Sequence, residues 1–220
     1  MAIELYWGSG SPFVWRVMLT LEVKGLPYES KLLEFSKGEH KTAAYLRLNP
    51  RGKVPTLKDG DFVLYESLAI MSYLDRKYPE PPLFGITPEE TGLIWRALAE
   101  CESYMVSAGD KVVRPIFFGK GLDKTEEIQQ AAQTLRHELK SIDERLAGSP
   151  WLVGDTISAA DIGVFPLVQL ILRAASKEAA QPFNLGLLPL GQTFPNVARW
   201  VQRIEALSNY QRTYPPHWRQ

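Results

Sequence analysis

The first apolar positions alternate: Ile3, Leu5 and Trp7 enclose Glu4 and Tyr6, a period of two that predicts a strand. Val14, Val17, Met18 and Leu21 then follow at helical spacing, with a stop at Lys24-Gly25. "PYESKLL" predicts a second strand and "GEHKTAAYLRLNP" a loop with a short helix. "VPTLKDGDFVLYE" predicts a hairpin whose Asp59-Gly60 pair suits a type I′ turn. A further helix starts at Ser67 and reaches about Tyr78. The order βαβαββα describes a small mixed sheet covered by helices, with a parallel first crossover and antiparallel hairpin strands.

"YPEPPLFGITPEE" holds four prolines, which marks a stiff connector. Beyond it the pattern is helical throughout. Thr87, Pro88 and Glu90 form a cap, a first-turn proline and a capping-box acid, with Ile94, Leu98, Cys101 and Met105 as the apolar stripe behind them. Ile128, Ala132, Leu135, Leu139, Ile142 and Leu146 make a seam for a neighbouring helix. In "TISAADI", Ser158 and Asp161 suit a capping box, and Ile157 and Ile162 a hydrophobic staple. A Gly/Pro/Leu connector over 176–193 precedes a final helix opened by Pro195, with Val197, Trp200, Val201, Ile204 and Leu207 on one face. The expected organisation is an α/β domain over 1–79, a linker over 80–87 and an all-helical domain over 88–220, an α/β plus all-α chain.

Charge and cysteine content narrow the function. The 220 residues carry 25 basic and 25 acidic side chains with no block of one sign, so neither nucleic acid nor an anionic membrane surface is an expected partner. Cys101 is the lone cysteine and cannot form an internal disulfide; no charged-then-apolar leader and no run of about 18 apolar residues is seen. The expectation is a cytoplasmic protein whose partner is a small molecule or another protein. His40, His137 and His217 show no metal-ligand spacing, so no metal is expected. The place of Cys101 on an apolar stripe suits a small buried residue rather than a redox thiol.

The strand-to-helix loop "WGSGSPFVWRV" carries two glycines, two serines and a proline. With "WRVMLTLEVKGLPYE", "GEHK", "LNPRGKVPTL", "YESLAIMSYL" and "TISAADI" in that order, nearly the whole chain resembles the cytosolic glutathione transferases. The likeness is mosaic: "WRV" with "KGLPYE" looks like the zeta class, and "GEHK" with "DGDFVLYES" like the phi class. It implies a thioredoxin-like βαβαββα domain that binds glutathione as co-substrate, an all-helical domain, a homodimer and a detoxifying transferase that attacks hydrophobic electrophiles.

The chemistry explains the residue types. A free thiol has a pKa near 8.5, so at neutral pH only a few per cent is the nucleophilic thiolate. A hydroxyl donor at a helix N-terminus favours the anion without covalent attachment. Ser11, directly before Pro12, is the first candidate for that donor, and Ser9 the second. By the resemblance Val54, beside Pro55 as a cis-proline, pairs its backbone with the cysteinyl part of glutathione. Glu66 and Ser67 meet the γ-glutamyl ammonium and carboxylate, and His40, Lys41 and Lys53 meet the glycine carboxylate. Phe13, Tyr104, Val112, Ile116 and Phe117 are candidates for an apolar co-substrate pocket between the domains.

Where the zeta pattern has a serine and a cysteine after its catalytic serine, this chain has Pro12 and Phe13, which counts against maleylacetoacetate isomerisation. Thiol-disulfide exchange lacks a loop cysteine, and a serine hydrolase lacks the G-x-S-x-G elbow. The alternatives that remain are a non-catalytic glutathione-binding or protein-interaction module and a glutathione-dependent isomerase.

Overall fold

The computed structural model describes residues 2–119 and 121–219. By internal contacts the chain divides into two compact units, Met1–Leu83 with Ser208–Gln220, and Phe84–Leu207.

The first unit runs β1 (Ile3–Trp7), α1 (Pro12–Val23), β2 (Tyr28–Leu32), α2 (Ala43–Leu48), β3 (Thr56–Asp59), β4 (Phe62–Tyr65) and α3 (Ser67–Lys77), the expected βαβαββα order. The sheet order is β2-β1-β3-β4, parallel between β1 and β2 and antiparallel elsewhere. Alternation in β1 turns Ile3 and Leu5 to a core shared with Leu57, with Val14, Val17, Met18 and Leu21 of α1, and with Ile70 and Leu74 of α3. Each such side chain contributes roughly 1.5–3 kcal/mol by leaving water. The hairpin turn differs from the expectation. Asp59 pairs with Phe62, so the two-residue loop is Gly60-Asp61, and Gly60 has φ +63° while Asp61 is outside the positive-φ region; a type I′ turn needs positive φ at both.

At the end of α1 the buried Lys24 ammonium donates to the carbonyls of Tyr78 and Pro81, both at 2.7 Å, and pairs with Asp75 at 2.8 Å. Three acceptors match its three N–H donors and fasten the start of the proline-rich connector to α1.

The second unit contains α4 (Pro88–Glu100), α5 (Val106–Phe118), α6 (Thr125–Arg145), α7 (Ala159–Ala175), α8 (Leu190–Thr193) and α9 (Pro195–Glu205). Thr87 and Glu90 form the expected capping box on α4, and a wide π-type turn, Cys101–Met105, carries that helix into α5. Ile94, Leu98, Cys101 and Met105 are all buried, as is the whole α6 seam. Gly163 lets α7 approach α4, since a Cβ there would come within 2.2 Å of Leu98 Cδ2. The stretch 176–193, expected as a connector, forms a 3₁₀ helix over Glu178–Phe183 as well as α8. Among the described residues no helix is long and apolar enough to cross a membrane.

The C-terminus departs from the sequence expectation that all of 88–220 joins the helical domain. After α9 comes α10 (Tyr210–Thr213) and a 3₁₀ turn, Pro216–Trp218, and these residues belong with the first unit. The reason lies in α1, where Val14 to Leu21 are all buried. A helix buried all round needs cover on both sides. The sheet and α3 cover one side, and Trp15 meets Tyr214 and Trp218 of the tail edge-on, at centroid separations of 5.8 and 5.4 Å.

Candidate active site

Strand register brings three loops to one end of the sheet. Tyr6 pairs with Thr56 and Thr56 with Tyr65. The loop after β1, the segment before β3 and the turn after β4 therefore leave from neighbouring positions: Gly8–Ser11, Val54-Pro55 and Glu66-Ser67.

In the first loop Gly10 takes φ +84° and Ser11 is the N-cap of α1, with extended backbone, Pro12 opening the helix, and no acidic side chain in the first turn. Ser11 Oγ accepts from Val14 N at 3.4 Å. Capping uses an oxygen lone pair and leaves the hydroxyl proton available as a donor. Ser9 has different company: its Oγ lies 2.6 Å from His217 Nδ1. Phe35 closes on the loop from the other side, because a Cβ on Gly8 would come within 2.1 Å of Phe35 Cζ.

Ahead of β3, the Val54-Pro55 bond is cis. Its support is a buried polar network. Tyr45 donates to the Lys53 carbonyl at 2.6 Å, with Thr56 Oγ1 at 2.8 Å, and Asn49 Nδ2 donates to the same two oxygens at 2.9 and 3.0 Å. Burial pushes the Tyr45 phenol above its ordinary pKa, which keeps it a protonated donor at neutral pH. With the Lys53 carbonyl tied down from behind, Val54 is left half-buried at the end of the sheet, just ahead of β3.

After β4, Glu66 has φ +74°, a region that disfavours residues with a Cβ, and it is exposed. Ser67 opens α3 with 6% exposure, and the buried Arg16 guanidinium of α1 donates to its Oγ at 3.4 Å. The same guanidinium lies 5.0 Å from the centre of the half-buried Phe13 ring. A fixed cation thus stands beside the start of α3, where no acidic side chain occupies the first turn.

Around the short helix Glu39–Lys41, His40 packs edge-on against Phe35 at 4.8 Å, and its buried Nδ1 has no hydrogen-bond partner among the described residues. Lys41 Nζ donates to the Gly52 carbonyl at 3.0 Å, and Lys53 is exposed. In the second unit Tyr104 is exposed and lines a groove with Ser107 and Lys111 of α5 and Glu127 and Gln130 of α6. Val112 is fully buried, Ile116 is 7% exposed and Phe117 is half-buried. Val112 therefore has no surface to offer a co-substrate. Among the described residues no group of three or more His, Cys, Asp or Glu is placed to hold a metal ion.

Sequence reasoning did not assign roles to Arg16, Tyr45, Asn49, Thr56 or His217. Arg16 and Asn49 stand inside the quoted stretches "WRVMLTLEVKGLPYE" and "LNPRGKVPTL", so a signal existed for them. For His217, separated by 208 residues from Ser9, none did.

A mixed four-stranded sheet with a serine-capped helix, a cis-proline ahead of an inner strand and a following helical unit defines a glutathione-binding transferase architecture. The chain belongs to the glutathione S-transferase family: residues 10–77 match the family profile "Glutathione S-transferase, N-terminal domain" and residues 105–208 match "Glutathione S-transferase, C-terminal domain". It is 30% identical over 225 residues to glutathione S-transferase A of Pleuronectes platessa, covering 98% of this chain and 92% of that one. Against glutathione S-transferase theta-1 of Homo sapiens it is 31% identical, covering 94% and 83%. Among solved structures, a glutathione S-transferase from the Antarctic clam Laternula elliptica superposes with a TM-score of 0.85 at 30% identity, covering 100% of this chain and 95% of that one.

Proposed function

We propose that this glutathione transferase binds the tripeptide across the three loops at the end of its sheet, with Ser11 as the donor that stabilises the thiolate. The observation that carries the reading is the start of α1: a half-exposed hydroxyl cap with no acidic side chain in the first turn. The helix macrodipole and the Ser11 O–H act on the same anion there. Lowering the thiol pKa by about two units requires roughly 2.7 kcal/mol, within reach of a charge-assisted hydrogen bond plus a helix terminus. Ser11 donates a hydrogen bond and keeps its proton. The sulfur lone pair forms the new carbon–sulfur bond to a hydrophobic electrophile, and the electrons displaced from carbon leave with the departing group or move onto an adjacent acceptor.

In this reading the backbone of Val54 pairs with the cysteinyl residue, Glu66 takes the ammonium group, and Ser67 with the N-terminus of α3 takes the γ-glutamyl carboxylate. His40, Lys41 and Lys53 serve the glycine carboxylate, and Phe13 contacts the electrophile. The protein works as a cytoplasmic homodimer in detoxification; sedimentation as a monomer at micromolar concentration would overturn the dimer. Titrating the bound glutathione thiol by thiolate ultraviolet absorbance tests the mechanism. The expected result is a depressed pKa in wild type that returns towards the free value in Ser11→Ala; tight binding with an unshifted thiol would make the protein a binding module instead.

A further inference from the structure

The last residues of the chain reach the serine loop, and they arrive firmly held. Trp15 Nε1 donates to Thr213 Oγ1 at 2.8 Å, and Thr213 in turn donates to the Tyr210 carbonyl at 2.8 Å. Trp218 stands edge-on to Trp15, and Arg212 pairs with Glu22, two turns further along α1, at 3.3 Å. The Arg219 guanidinium closes the tail on itself by donating to the Gln211 carbonyl. Carried by this frame, the His217 ring lies against Gly10, where a Cβ would come within 2.7 Å of its Cε1, and Nδ1 sits 2.6 Å from Ser9 Oγ. The internal hydrogen bonds of the loop are longer: Ser11 N to the Gly8 carbonyl and Val14 N to Ser11 Oγ are both 3.4 Å.

We propose that His217 is a positioning residue of the thiol-activating loop. Its hydrogen bond to Ser9 and its ring against Gly10 hold the Gly8–Ser11 turn so that Ser11 presents its hydroxyl at the start of α1. The inference rests on the reading of Ser11 as thiol donor and gives the two serines different roles, Ser9 engaged by the tail and Ser11 facing the ligand. A loop whose own hydrogen bonds are long gains order from a contact made by a rigid element, and placement errors well under an ångström matter for a donor aimed at a reacting atom.

Two variants and three readouts test it. His217→Phe keeps a ring over Gly10 and removes the hydrogen bond; His217→Asn places an amide where Nδ1 stood, able to donate or accept as Ser9 requires. With glutathione and 1-chloro-2,4-dinitrobenzene, His217→Phe is expected to lower kcat roughly three- to tenfold, the range of one net hydrogen bond, with the glutathione KM changed by less than about twofold. The bound thiol pKa rises in step, and the Val14 amide exchanges its hydrogen faster in the unliganded protein. His217→Asn restores all three. Wild-type kcat and exchange in His217→Phe would overturn the proposal, as would a His217→Asn variant no better than His217→Phe. An unshifted thiol in the wild type would overturn the reading of Ser11; Val14 exchange, measured without glutathione, then separately upholds or overturns the hold of His217 on the loop.

Discussion

Ser158 ahead of α7 and Ser11 ahead of α1 are both helix-capping serines, yet their surroundings are opposite. At α7 the Asp161 carboxyl group, with 0% exposure, accepts from Ser158 N at 2.9 Å, Ser158 Oγ at 3.0 Å, Leu152 N at 2.9 Å and Trp200 Nε1 at 2.8 Å. That helix start supplies its own hydrogen-bond acceptor, from its own first turn. At α1 the cap bond is 3.4 Å long and no acid occupies the first turn. The positive end of α1 has no anion from its own first turn. A helix start filled from within serves folding, and one left unfilled beside a half-exposed hydroxyl is open to an anionic ligand, the role proposed for Ser11.

The largest expected effect comes from emptying the filled start. Asp161→Ala leaves the indole of Trp200 and the amides of Leu152 and Ser158 without their acceptor, which should cost about 3–5 kcal/mol of stability. Urea unfolding measures it, and turnover per folded molecule should stay at the wild-type value. A loss below about 1 kcal/mol would mean that α7 does not depend on its internal acceptor. Ser11→Ala inverts the pattern: stability should fall by less than about 1 kcal/mol while turnover falls roughly a hundredfold, the effect of removing one donor aimed at a developing or stabilised anion. A stability loss equal to that of Asp161→Ala would make the start of α1 a structural cap and erase the distinction.

The two starts also differ in how far the sequence announces them. Ser158 and Asp161 are three residues apart, and a capping box is a local device, so the pattern in "TISAADI" suffices to find it. The strands and helices of the first unit are legible for the same reason, since period two and period 3.6 are properties of short windows. The hydroxyl of Ser11 is equally visible, but its setting is not. Tyr45 and Asn49 act on the Lys53 carbonyl through a folded turn, Arg16 reaches Ser67 across two helices, and His217 meets Ser9 from the far end of the chain. The return of the tail follows from the burial of α1 on all sides: the run from Val14 to Leu21 is too apolar for a helix covered on one side, and Trp15 in it requires a partner.

The smallest effect is a dependence on pH, and it separates the two starts by sign and by presence. Burial pushes the Asp161 carboxyl above its ordinary pKa, although the four donors around it pull the other way. As pH rises past about 4 the unfolded chain gives up this proton before the folded one does, so over that window the folded state binds more protons and stability declines with pH. The contribution of this group is therefore complete below the unfolded value and is lost as pH rises through the folded one. Asp161→Asn has no such proton. The stability of wild type relative to Asp161→Asn should be greatest below about pH 4 and shrink as pH rises, read by urea unfolding at each pH, whereas wild type and Ser11→Ala should run parallel because the first turn of α1 contains no acid to titrate. A gap to Asp161→Asn that instead widens towards neutral pH would mean that the four donors outweigh burial and hold a carboxylate. The start of α7 would then be a charged anion site satisfied by its own chain, and α1 would differ from it only in where the anion comes from.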